Sequence, residues 1–199
     1  MAYPTVSAPY GLIPINLIGG QVFAGATRQI PIASGYAANI FFGDVVKLVS
    51  TGTLEKDTGT STATPVGVFL GCSFTDPVFG KTFRQYYPTG TVASDIVAYV
   101  CDDPDTLFKV AVVSSGTTIG YVNRTAVGNN SALVQNAGNT TTGNSRVAIS
   151  ASTATTNTLP VRIVDVVPET AQAANPGNYT EVIVKWNFGM HQYENATGV

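Results

Sequence analysis

Apolar residues along this chain fall into short runs broken by Gly, Pro and Asp, and the runs carry β-branched and aromatic side chains. Strand signals cover Val22 to Ile32, Asp44 to Val49, Pro65 to Cys72, Lys81 to Tyr87, Val92 to Cys101 and Thr106 to Val113. Between them stand the breakers Ser50-Thr51-Gly52-Thr53, Asp76-Pro77, Pro88-Thr89-Gly90 and Asp102-Asp103-Pro104-Asp105. Apolar and polar positions alternate again over Val161 to Val167 and Glu181 to Phe188. Many short strands separated by turn residues predict an all-β fold, an antiparallel sandwich or barrel.

Two stretches depart from this rhythm. Residues 1–20 interleave Pro4, Pro9, Pro14 and several Gly with Tyr3, Tyr10, Leu12, Ile13, Ile15, Leu17 and Ile18. Proline at that spacing blocks a helix and interrupts a central strand, yet the segment is apolar. It reads as an extended N-terminal arm, laid along its own domain or docked on a neighbouring subunit. Tyr3, Pro4, Tyr10, Leu12, Ile13, Pro14, Ile15, Leu17 and Ile18 are its candidate assembly contacts. Residues 21–199 then form a single β-rich domain. Within it, 114–159 is rich in Ser, Thr, Asn and Gly and reads as a loop-rich insertion, with a helical turn at Ile119–Arg124 and a strand at Arg146–Ile149. A loop of that length points to function or to contacts outside the domain.

Composition narrows the class. The 199 residues are 44% hydrophobic and only 11% charged, with 20 Gly and 26 Thr. Disordered chains are richer in charge, and helical bundles need Ala, Glu, Lys and Leu. A formal charge of -2 gives no basic field for phosphates, so nucleic acid is not an expected partner. The apolar runs fall short of the roughly 20 residues of a spanning helix, and Met1-Ala2-Tyr3-Pro4 lacks a signal-peptide pattern, so a soluble protein with no membrane partner is expected.

Candidate chemistry is sparse. His191 is the only histidine and lies near the C-terminus in Gly189-Met190-His191-Gln192-Tyr193, where a surface or interface position is expected. No nucleophile setting, phosphate loop or zinc ligand set accompanies it, so no enzyme and no cofactor are expected. Cys72 and Cys101 read as buried hydrophobes, with a bridge open if their strands are neighbours. Asp102, Asp103 and Asp105 read first as a turn and second as a calcium site. Tyr36, Phe41, Phe42, Phe74, Phe79, Phe83, Tyr86 and Tyr87 are mostly core, the remainder serving an assembly interface before a sugar platform.

Ile32 to Leu48, with its Gly43-Asp44-Val45-Val46-Lys47-Leu48, then Val66 to Cys72, Asp102-Asp103-Pro104, Ile119-Gly120 and Val184-Lys185-Trp186-Asn187 resemble small virion proteins of tailed bacteriophages, of the capsid decoration or cement class. The resemblance implies a structural protein of the virion surface, made in the host cytoplasm. It implies binding to the outer face of the shell, bridging of neighbouring major capsid protein subunits, and a homo-oligomer, a trimer before a dimer. A head-to-tail connector or tail component is the next reading, and a carbohydrate-binding module the third.

Overall fold

The computed structural model describes residues 6–171 and 178–199, and its regular elements are almost all strands. They are β1 (Ile13–Leu17), β2 (Arg28–Pro31), β3 (Val45–Leu48), β4 (Leu54–Lys56), β5 (Gly67–Asp76), β6 (Gly80–Arg84), β7 (Val97–Cys101), β8 (Thr106–Ser115), β9 (Thr118–Ile119), β10 (Asn130–Val134), β11 (Ala148–Ala154), β12 (Val161–Val166) and β13 (Glu181–Trp186). A single 3-10 turn, Arg124–Ala126, starts at Asn123, whose side chain accepts from the Thr125 amide at 3.0 Å. The all-β fold expected from the strand rhythm is what the chain adopts.

One sheet closes on itself. Its ring runs β8-β11-β10-β12-β13 and back to β8, with β1 and β9 as further partners of β8. Every pairing is antiparallel except β8 with β11. Period-two alternation sends Phe108, Val110 and Val112 of β8, and Val182, Val184 and Trp186 of β13, into one core. The rings of Phe108 and Trp186 meet there at 5.3 Å. On the other face of β8, Ala111 and Val113 are covered by Tyr179 and by Val6 and Tyr10.

The second sheet has the order β2-β7-β5-β3-β4, and β6 pairs with β5. Both of its faces are covered. Val45, Val68 and Cys101 join the barrel core, while Val46, Phe69, Cys72, Phe74 and Val100 build a second core with Ile40 and Tyr87. This explains the nearly unbroken apolar run of β5, since a strand buried on both sides has no need to alternate.

Where the two sheets meet, the chain crosses itself at glycine. Gly11 and Gly43 both hold positive φ, and a Cβ on Gly11 would lie 2.6 Å from the Gly43 carbonyl oxygen. That carbonyl accepts from the Leu12 amide at 3.0 Å. The next residue, Asp44, is fully buried and saturates its carboxylate. It accepts from the Phe41 amide at 2.9 Å, from Lys56 Nζ at 2.9 Å and from Ser145 Oγ at 2.6 Å. Ser145 in turn accepts from the Val147 amide, leading into β11. One carboxylate thus ties β3 and β4 of one sheet to the approach to β11 in the other.

Two expectations are corrected. From Gly11 onward the N-terminal segment is laid along its own domain, one of the two expected placements, but as a member of the sheet and not as a separate arm: β1 pairs with β8, and Leu12 is fully buried in the barrel core. Pro14 is tolerated because β1 lies at the end of the strand path and is bulged between Pro14 and Asn16. Residues 114–159 hold more strand than the one expected at Arg146–Ile149, for they include β9, β10 and all of β11 with turns and loops between them, and the helical turn falls at 124–126. Their polar residues serve as buried strand members whose side chains find carbonyls. Ser131 Oγ donates to the Ser150 carbonyl at 2.8 Å, and Asn130 Nδ2 to that of Thr156 at 2.9 Å.

Removing a buried carboxylate while its partners remain costs about 3–5 kcal/mol. Asp44→Ala is therefore expected to lower the free energy of unfolding by that amount in urea titration. Leu12→Ala, as a core truncation, is expected to cost about 2–5 kcal/mol in the same measurement, whereas a residue on a detachable arm would cost nothing.

Candidate functional site

The β5–β6 hairpin is built to hold apolar side chains in water. Asp76 Oδ1 accepts from the amides of Val78 at 2.9 Å and Phe79 at 3.1 Å, and these bonds hold its carboxyl below the usual range. Pro77 presets the turn and Gly80, with φ of 74°, closes it. The turn leaves Val78 and Phe79 more than three-quarters exposed. Further along β6, Phe83 is 71% exposed and stacks on Tyr99 with ring centroids 6.4 Å apart. The hairpin is braced from one side by Asp95, which accepts from the Thr75 amide at 2.9 Å, from its hydroxyl at 2.8 Å and from Lys81 Nζ at 2.8 Å. Those bonds hold the Asp95 carboxyl far below the usual range.

Clefts flank β6 on both sides. One, of about 470 Å³, is lined by Phe74, Pro77, Arg84, Tyr86, Pro88 and Val92, the last 77% exposed. The other, of about 550 Å³, runs between Phe42, Leu70, Phe83, Gln85 and Tyr99, again with Arg84 at its wall. Scattered surface apolar residues are ordinary, but a cluster rimmed by polar groups marks an interaction surface.

A second apolar patch lies on the other sheet. Phe188, just past β13, is 83% exposed, and Ile18, just past β1, is 52% exposed. They share a cleft of about 250 Å³ with Arg162, Val164, Lys185 and Trp186. The two patches have no residue in common.

Of the candidate assembly contacts, Tyr3 and Pro4 lie outside the described residues. Leu12 is core, Ile18 is exposed, and Tyr10, Ile13, Pro14, Ile15 and Leu17 are half-buried against β8. Tyr10 donates its hydroxyl to Glu181, which also pairs with Lys109 at 3.2 Å, and burial holds the phenol protonated. In the aromatic-rich stretch Phe41, Phe74 and Tyr87 are buried, Tyr36, Phe42 and Tyr86 are half-buried, and Phe79 and Phe83 are exposed. The signal in the sequence for the exposed pair was an apolar Val78-Phe79 placed between Pro77 and Gly80, where turns are ordinarily polar.

The remaining chemical candidates are engaged in structural contacts. Asp102 pairs with Arg28 at 2.5 Å and accepts from the Tyr193 hydroxyl, Asp105 pairs with Lys185 at 2.6 Å, and Asp103 accepts from the Asp105 amide. Among the described residues no group of three His, Cys, Asp or Glu side chains is placed to hold a metal ion. Cys72 and Cys101 are free and buried on paired strands, Cys72 opposite Ala98 and Cys101 opposite Val68. Burial pushes the Cys72 thiol up to about 12. No helix of the described residues is long and apolar enough to cross a membrane.

His191 is not on the surface, as expected, but fully buried. Its Nδ1 accepts from the Tyr193 amide at 3.2 Å and its Nε2 has no partner among the described residues. The tail around it docks on the second sheet, where the Gln192 amide group bonds both backbone groups of Leu48, at 2.7 and 3.0 Å. Compared with protein-family models, with characterised proteins and with solved structures, the chain matches none.

Burial lowers the His191 pKa below the free value of 6.5, so the unfolded chain takes up its proton first as pH falls. The contribution of His191 to stability is complete above pH 6.5 and is lost as pH drops below it. Denaturant midpoints measured across that range are expected to fall in the native protein, and His191→Gln is expected to flatten the slope.

Proposed function

We propose that this protein is a non-enzymatic virion component of the bacteriophage capsid decoration type. It binds the outer surface of the shell as a homo-oligomer, a trimer before a dimer, and bridges neighbouring major capsid protein subunits to stabilise the head. The observation that carries the reading is the pair of separate apolar patches, Val78, Phe79, Phe83 and Val92 on one sheet and Ile18 and Phe188 on the other. A molecule that bridges needs two sticky places, and a rigid two-sheet body fixes the distance between them. The resemblance of the Gly43-Asp44 run and its companions to capsid decoration proteins supports the same role. Each contact can be weak, because the second is made at the high effective concentration that the first creates.

Phe79→Ser and Phe188→Ser alter exposed side chains and leave both cores untouched. Each is expected to weaken binding to mature capsids about tenfold or more in co-sedimentation, as loss of an aromatic anchor does. Both are expected to retain the native unfolding curve. Unchanged binding in both variants, or no binding of the native protein to shells, would overturn the reading. Localisation to the tail or neck in reconstructed particles would move the protein to another part of the virion.

A further inference from the structure

β6 is bonded to β5 along one edge, Gly80–Arg84 opposite Cys72–Asp76, and no strand among the described residues pairs with its other edge. A free strand edge presents amides and carbonyls ready for a further strand. Phe83 lines one of the flanking clefts, and Arg84 lines both.

Arg84 is one of four cations outside any ion pair, with Lys47, Arg146 and Arg162. Six of the ten Lys and Arg residues are in ion pairs: Arg28, Lys56, Lys81, Lys109, Arg124 and Lys185. Arg84 is in none, and its Nε is buried with no hydrogen-bond partner among the described residues. Its guanidinium sits 5.7 Å from the centre of the Phe74 ring, at the wall of both clefts. Lys81 is held by Asp95, while Asp76 caps the turn amides and reaches Arg84 only through space. The free edge therefore runs beside one cation that has no ion-pair partner.

We propose that the β6 edge takes an extended acidic segment of another protein chain. The segment adds as a strand along Gly80–Arg84, places a carboxylate on Arg84, and sets an alternate apolar side chain against Phe83. Strand addition of this kind draws affinity from the backbone and selectivity from the alternate side chains. A second copy of β6 does not meet the requirement, because Gly80-Lys81-Thr82-Phe83-Arg84 brings two more cations and no carboxylate. The inference rests on the reading of this hairpin as an assembly surface, and it names what that surface accepts.

The test uses the full-length protein and a short capped peptide of alternating valine and threonine carrying one glutamate, beside the same peptide with glutamine. The glutamate peptide is expected to bind about tenfold tighter by calorimetry, a charge-assisted bond to Arg84 being the difference. It is expected to slow amide hydrogen exchange across residues 80–84, and in Arg84→Gln the two peptides are expected to bind alike. Equal affinity of the two peptides for the native protein, no binding of either, or protection confined to another segment would overturn the proposal. The peptide comparison on the native protein decides this without any variant. If Phe79→Ser weakens capsid binding while the peptides bind alike, the assembly reading stands and this one falls.

Discussion

The buried carboxylate of Asp44 is the constraint on which the two halves of this molecule depend. Its oxygens are committed to the Phe41 amide just before it, to Lys56 on the next strand and to Ser145, which lies 101 residues further along the chain. Apolar contact between the sheets is permissive, because side chains of similar volume exchange with modest loss. A saturated carboxylate in a dry interior is not, for any other alignment leaves charge or donors unpaired. Gly43 stands beside it for a related reason: only a residue free to hold φ of 87° lets Leu12 approach the turn closely enough to bond its carbonyl. The Gly43-Asp44 pair thus sets the sheets' mutual register, and both apolar patches inherit their positions from it.

With 11% charged residues, the chain spends its ions on joints. Lys56 meets Asp44 across the β3–β4 pair, while Lys109 meets Glu181 and Lys185 meets Asp105 across segments distant in sequence. What remains for the outer surface is Thr, Asn, Ser and Gly, against which an exposed phenylalanine is conspicuous. The contrast gives the two patches their meaning as contact points and leaves the intervening surface neutral toward partners.

The barrel strands with alternating pattern, Val161–Val166 and Glu181–Trp186, were legible because one face meets the core and the other does not. β10 was not, since Asn130 and Ser131 lie buried in a strand and take their partners from carbonyls that only the folded sheet supplies. β1 was hidden by its prolines, which a bulged strand at the end of a sheet accommodates. At the site, the aromatic density between residues 36 and 87 was visible, yet Phe79 and Phe74 look alike until the turn at Asp76 assigns one to water and the other to the core. The free edge of β6 and the unpaired Arg84 are properties of topology, and no local pattern announces them.

The position of β8 also shapes how the molecule is made. Over Thr106–Ala111 its partners are the first strand of the described chain on one side and the last on the other, so this half of β8 is not satisfied by a neighbour in sequence. Closing such loops is entropically slow, and topologies dominated by distant pairings fold late. Until β13 arrives, the most apolar strand of the barrel waits with an open edge. In that interval the sparing use of charge is a liability, because an uncharged open edge lets copies of the chain pair with one another before each has finished pairing with itself.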